Sequence, residues 1–582
     1  MDRRMFLAFI LIFLILAGSQ ALMQKFYPKP ATPPAIEQVA ATDQDAAATT
    51  AHDLPATLPG GASTPADTTI DFTSPEGVLR LVNEGTPQRI TVTTPLYRAV
   101  VSTVGGRVVS WEGLKYDTHT GVPVQLVPEQ TPEYGLDAIL FHDRELDLGS
   151  AVYRTEAADI RVDEGTRSLV MFASLAGGLE VRKTYTFHAD TYGMEVDYAL
   201  IAVDGGPARR SLELLGRPED VRFGWNQGIA HTERSQKMEQ MAMRAIARVG
   251  DEFIKEKASD LKKSEEKVRA QRRGSVHYAG LQDRYFTIVG LVPWEQGEPV
   301  EGTIRLDGDK ALGAQSFSID VPARRGVGGE IATARFDLYI GPQMAELLAV
   351  YNHGLEDSMD LGWAWIRPLT KFVLWGLESA HPYIPNYGVI IIIFSVLTKL
   401  VFYPLTRSST ISMKKMQALQ PKLKAIQEKY KDDSAKLSEA QMKLYREEKV
   451  NPLAGCLPML IPTPVFIALY QALNHTIALR GQPFVLWIKD LSQPDALMPI
   501  TGSLDLNVLP ILMAVAMYFQ TKMTPTGGAT GQMAMMNTMM PLIMVFFFYN
   551  MPSGLVLYWL VNTIMQAYQS WRIHKTTATQ GA

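Results

Sequence analysis

Between Asn386 and Trp571 the chain repeats one pattern five times: an apolar stretch about as long as a bilayer core is thick, then a polar break. The stretches are 386–405, 453–475, 507–523, 533–551 and 552–571. Tyr, Trp, Asn and Pro gather at their ends, as such side chains do at a membrane–water boundary. In lipid the backbone must satisfy its own hydrogen bonds, so this spacing predicts a bundle of spanning helices over 386–575. A sixth apolar run follows two arginines in MDRRMFLAFILIFLILAGSQALM. Residues 1–27 therefore read as a signal anchor that makes a first span, with a cleaved signal peptide as the alternative.

Charge sets the orientation. The connection 407–450 holds eleven Lys and Arg against six Asp and Glu, whereas 476–506 holds only Arg480 and Lys489 as basic residues. Basic connections stay in the cytoplasm, which puts 407–450 and both termini there and everything from 28 to 385 on the far side. The basic connection has helical sequence, STISMKKMQALQPKLKAIQEKY, then KDDSA, then KLSEAQMKLYREEKV, and reads as a cytoplasmic helical hairpin. Lys414, Lys415, Lys422 and Lys424 offer it a contact with anionic lipid or with a ribosome; a solvated determinant of topology is the plainer reading.

The exported part changes character along its length. Residues 28–70, rich in Pro, Ala, Thr and Asp, read as a flexible tether. From 71 to 342, runs such as RITVTTPLYRAVV and GLEVRKTYTFHADTYGMEVDYALI alternate apolar and polar residues and predict a large β-sandwich. Its charged stretch 233–273 reads as a solvated helical insertion. Over 355–380, Leu361, Trp365, Leu369, Phe372, Val373, Gly376 and Leu377 recur at helical spacing among flanking charges, predicting an amphipathic helix in the membrane interface.

Several chemistries find no support. The net charge of −4 suggests no nucleic-acid partner, and Cys456 is the sole cysteine, so no intrachain disulfide or Cys-based metal cluster is expected. No phosphate-binding G-x-x-x-x-G-K-[ST], G-x-S-x-G or H-E-x-x-H motif occurs. No catalytic residue, metal or cofactor is expected. His142 and His188 are the sandwich's candidate bases, but neither belongs to a catalytic motif.

The residue that remains unexplained is Lys399, inside FSVLTKLVFYPLT. An ionised group at mid-span costs about 2.5–3.5 kcal/mol even on lenient insertion scales. One reading lets it snorkel to the cytoplasmic headgroups. The other notes Ser395 one turn earlier and the absence of Asp or Glu from the spans. Thr463, Gln520, Asn562 and Gln566 can hydrogen-bond an ammonium there without neutralising it. An unpaired cation then calls for a hydrated, positive cavity open toward the cytoplasm. Such a pocket suits polar, preferably acidic, polypeptide more than a solute, since neither transporter repeats nor an intramembrane carboxylate is present; a secondary solute transporter is the alternative.

The stretches NYGVIIIIFSVLTKLVFYPLT, KVNPLAGCLPMLIPTPVFIALYQAL and MPSGLVLYWLV, with FVLWIKDLSQPD and LPILMAVAMYFQTKMTP between them, resemble the YidC membrane-protein insertases of Gram-negative bacteria. The resemblance implies a six-span inner-membrane protein with a five-helix insertase core and a periplasmic super-sandwich of the sugar-mutarotase type. It implies a cytoplasm-open hydrophilic groove and nascent membrane-protein clients. The implied partners are membrane lipids, the Sec translocon, the ribosome and the signal-recognition pathway. Lys399 takes the place of the family's usual arginine ahead of Tyr403-Pro404-Leu405-Thr406, keeping the charge but losing the guanidinium fork. Pro462 stands where several relatives have glutamine, and the tail after Trp571 is short. A client's apolar helix would slide along the third and fifth spans, against Leu457, Met459, Ile461, Met544 and Phe547, while Lys399 and Ser395 receive its polar segment.

Overall fold

The computed structural model describes residues 75–578, apart from 84, 130–131, 133, 204, 235, 259–267, 295–296, 310–313, 432, 449, 451–462, 502–503 and 524–531. The expected anchor and tether, and Leu457, Met459 and Ile461, lie outside these residues.

The alternating stretches form strands in two sheets. The smaller, five-stranded sheet centres on β1 (Arg89–Thr93), β2 (Tyr97–Ser102) and β3 (Arg107–Asp117). The larger has fifteen strands among the described residues. Its main strands are β4 (Thr166–Leu175), β5 (Leu179–His188), β6 (Gly193–Ala202), β7 (Asp220–Trp225), β8 (Arg244–Val249), β9 (Glu252–Lys257), β10 (Val268–Gln282), β11 (Phe286–Leu291), β12 (Val300–Asp309), β13 (Ala314–Pro322) and β14 (Glu330–Pro342). They lie in the antiparallel order β4-β5-β6-β14-β11-β10-β12-β13-β7, with β8 and β9 branching from β10.

Period-two patterning explains the layering. In β5 every second side chain from Leu179 to Phe187 is buried, including Lys183. Ile90, Val92 and Trp111 of the small sheet share one apolar core with Val181 and Val196 of the large one. Trp111 stacks on Tyr97 with ring centroids 3.8 Å apart. This is the expected β-sandwich.

The helical insertion expected over 233–273 is corrected in part, because strands occupy much of the stretch. Among its described residues Gln236–Ala242 and Ala258 are helical, β8 and β9 form a hairpin and β10 starts at Val268; 259–267 lie outside the described residues. Sequence reading followed the charges of EFIKEK. Their position on β9, which pairs with β8 alone, explains them: charge on an edge strand discourages further strand addition.

From Arg367 on, nine α-helices follow among the described residues. They are α1 (Arg367–Ala380), α2 (Tyr387–Val401), α3 (Tyr403–Ala418), α4 (Gln420–Lys429), α5 (Ser434–Glu447), α6 (Thr463–His475), α7 (Val508–Met523), α8 (Gln532–Phe548) and α9 (Ser553–Ala578). Asn386 caps α2 by accepting the Val389 N–H at 3.1 Å, and Gly388 lets that first turn approach Phe484, whose ring a Cβ would meet at 2.1 Å. Asp495 caps α7 through the N–H groups of Val508 and Leu509, at 2.8 and 2.9 Å.

Two expectations about helices change. The stretch 386–405 is not one helix: it breaks at Phe402 and bends by 62° into α3. Pro404 has no N–H to give the carbonyl four residues back, and its ring crowds that turn. In α1 the inward side chains are Thr370, Val373 and Leu377, while Phe372 and Trp375 point outward beside exposed Trp363 and Trp365. The wide apolar stripe expected there is split over two faces.

No single helix among the described residues is long and apolar enough to cross a membrane; the α2–α3 pair passes that test together. The outer surface is nonetheless aliphatic and aromatic. Val401 is 71% exposed and Phe546 87%, and Leu397, Leu400, Val515, Phe519, Leu542 and Ile543 are exposed with them. An apolar surface of this extent suits contact with acyl chains rather than water.

Candidate functional site

Inside this apolar exterior runs a polar seam. On α2 and α3, Ser395, Lys399, Thr406, Ser409 and Thr410 recur at helical spacing, and all are buried. On α9, Gln566, Gln569 and Ser570 are buried. The two sets meet across the bend. The Lys399 ammonium donates to Oε1 of Gln566, and Thr406 exchanges hydrogen bonds with the Gln569 amide at 3.1–3.2 Å.

Lys399 is 7% exposed. Sequence reading expected a hydrated cavity at this ammonium, with Gln566 among the groups able to hydrogen-bond it; in the structure the Gln566 amide is its partner. Its partner is an acceptor without charge, so the cation is hydrogen-bonded but not neutralised. Ser395 donates to the Ile391 carbonyl at 2.7 Å, a bond within its own helix. Asn562 likewise donates to the Tyr558 carbonyl at 2.9 Å.

Of the expected groove residues, Lys399 and Gln566 are joined and Ser395 lies one turn away. Thr463 lies on the first turn of α6, and Gln520 is half-buried on α7. Met544 is half-buried and Phe547 exposed, both on α8. Lys415, Lys422 and Lys424 are exposed on the helices of the basic connection, and Lys422 pairs with Glu448 at 2.6 Å. The side chain of Lys414 lies outside the described set.

Sequence reasoning missed Thr406, Ser409, Thr410, Gln569 and Ser570. The signal was available: continuing the 3.6-residue period from Ser395 and Lys399 through Pro404 selects the three hydroxyl residues, and Gln566 with Gln569 and Ser570 forms one face of α9. His142 and His188, the sandwich's candidate bases, sit at the surface opposite Glu219 (3.1 Å) and Glu195 (3.7 Å).

A helical assembly with an apolar exterior, a polar seam around one cation and a large β-sandwich attached defines a membrane-embedded protein with an extramembrane domain. Comparison with known proteins gives the family. Residues 379–580 match the family described as 60Kd inner membrane protein, and residues 89–375 match the YidC periplasmic domain. The membrane protein insertase YidC of Chlorobium luteolum is 34% identical over 522 residues, covering 86% of this chain and 85% of that protein. That of Syntrophus aciditrophicus is 32% identical over 585 residues, covering 99% and 100%. A solved structure titled as an active YidC insertase with its first transmembrane domain resolved is 18% identical, with a TM-score of 0.35 over 85% of this chain and 95% of that one. The chain belongs to the YidC family of membrane protein insertases, inner-membrane proteins with a periplasmic domain.

Proposed function

We propose that the chain inserts nascent inner-membrane proteins by receiving their polar segments at the α2–α3/α9 seam, with Lys399 as the attracting charge. The observation that carries this reading is the pairing of a buried ammonium with a neutral glutamine. A cation held by an amide keeps its positive potential, and the amide is displaced at modest cost when an acidic or carbonyl-rich client segment takes its place. Ser395, Thr406, Ser409 and Thr410 supply hydrogen bonds to client backbone that would otherwise cross lipid unsatisfied. The client's apolar helix meanwhile leaves along exposed aliphatic surface, with Met544 and Phe547 on that path. Membrane potential adds about 2.3 kcal/mol per negative client charge per 100 mV.

The topology that goes with this reading has six spans, both termini and the basic helices α3–α5 in the cytoplasm, and the sandwich in the periplasm. The outward Trp363, Trp365, Phe372 and Trp375 suit the membrane interface. The basic helices suit anionic lipid and ribosome contact, and cooperation with the Sec translocon fits the same geometry. Lys399→Arg and Lys399→Leu, measured side by side in vesicles holding only this protein, test it. Arginine retains integration of a single-span client into a protease-protected state, and leucine lowers it about tenfold for clients with acidic tails. Equal performance of the leucine variant on every client, or solute uptake without integration, removes Lys399 from the mechanism.

A further inference from the structure

The periplasmic end of α6 shows a second arrangement that insertion chemistry does not require. A helix that stops at a membrane boundary leaves its last carbonyls without partners, and these carry the negative end of the helix dipole. In α6 the termination comes at His475, and the partners come from the sandwich. Arg284, buried at the tip between β10 and β11, donates its Nε–H to the Asn474 carbonyl at 3.1 Å. It donates Nη2–H to the Asn474 side-chain oxygen at 2.7 Å and to the Ser492 carbonyl at 2.9 Å. The Tyr285 hydroxyl donates to the Leu473 carbonyl at 3.3 Å.

The tip that carries these groups is rigid. Asp283 accepts the backbone N–H groups of Tyr285 and Phe286 at 2.7 and 2.6 Å. The Gln343 side chain donates to the Asp283 and Phe286 carbonyls at 3.0 and 2.9 Å. A second contact lies beside the first. Arg480, just past α6, pairs with Glu233 of the sandwich at 2.5 Å, both buried, and Gln493 donates to the other Glu233 oxygen at 2.7 Å.

We infer that the β10–β11 tip is the C-terminal cap of α6, supplied in trans by the sandwich, and that Arg284 is a positioning residue for that membrane helix. The sandwich then does more than hang from the membrane core: it fixes the height and tilt of one of its helices. The cation suits the site because a guanidinium satisfies two backbone carbonyls and a side-chain amide at once, and it opposes the dipole's negative end. Only the consequence for clients, through α6 as a groove wall, rests on the insertion reading.

Hydrogen exchange on the full chain in lipid tests the cap without reference to insertion. Arg284→Gln is expected to speed exchange at the amides of residues 474–480 and 490–494 roughly tenfold, while β4–β6 keep their protection. Arg284→Lys restores part of it, since one charged donor remains. Tyr285→Phe, which removes the tip's other donor to α6 and leaves the Asp283 and Gln343 bonds in place, loosens the same amides more weakly and decides the matter should Arg284→Gln fail to fold. Unchanged exchange at those amides in both variants overturns the inference. So does loosening spread evenly over the sandwich.

Discussion

Among the described residues two lysines are buried, one in each half, and the halves treat them oppositely. Lys183, in the sandwich, ion-pairs with Asp137 at 2.5 Å and lies over the rings of Tyr185 and Tyr198, 5.2 and 5.1 Å from their centroids. Burial is the largest single influence and lowers an ammonium's pKa, but Asp137 together with Tyr185 and Tyr153 outweighs it and holds Lys183 above its ordinary range. Asp137 is satisfied in turn by the Tyr198 hydroxyl at 2.7 Å and the Gly224 N–H at 3.0 Å. Lys399 has Gln566. A charge that serves the fold is closed off by its opposite and by the hydrogen bonds that hold that opposite in place. A charge left with only a neutral acceptor is available to something that arrives later.

The contrast breaks most visibly at Asp137. Asp137→Ala leaves Lys183 charged, buried and alone, and losing one partner of such a pair costs about 3–5 kcal/mol. For a domain of this size that lowers the sandwich's Tm by roughly 10 °C or more, read by calorimetry on the purified chain. Replacing both, Asp137→Leu with Lys183→Met, recovers most of the loss, because an apolar pair of similar volume needs no desolvation. Failure of the double variant to recover would mean the pair does more than neutralise itself.

Lys399 predicts the reverse. Lys399→Leu removes an un-neutralised cation and frees an amide that can turn to Thr406 or backbone, so the stability of the helical half is unchanged or rises by about 1 kcal/mol. Loss of stability comparable to Asp137→Ala would make Lys399 a structural group, and its difference from Lys183 would disappear.

How much of this was legible in sequence divides along the same line. The strands of the sandwich were readable because period two survives burial, and Lys399 was readable because one charge interrupts an apolar run. Lys183 was not: it looks like the polar phase of an alternating strand, and only the folded register shows that its phase faces inward. The hairpin β8–β9 was hidden because edge-strand charges mimic a solvated helix. Arg284 and Arg480 were invisible for another reason. Their partners lie some 190 and 247 positions away, and no local pattern encodes a helix cap supplied from another domain.

The rule that the sandwich neutralises its buried charges has strained cases among the described residues, and half-buried Asp337 on β14 is one of them. Its register partner on β6 is Glu195, Asp197 is close, and the Arg335 guanidinium pulls the other way without offsetting burial. Burial first, and those two carboxylates after it, push its carboxyl up to about 6. A carboxyl whose folded pKa exceeds its unfolded value stabilises the fold when protonated, and that contribution is lost as pH rises from about 4 through about 6. Asp337→Asn stays neutral at every pH. Its Tm should therefore exceed that of the parent by about 2–4 °C at pH 7.5, for a gain on the order of 1 kcal/mol, and the gap should close by pH 4. A variant less stable than the parent at pH 7.5 would show that Arg335 compensates Asp337 fully, and Asp337 would then follow the pattern of Lys183.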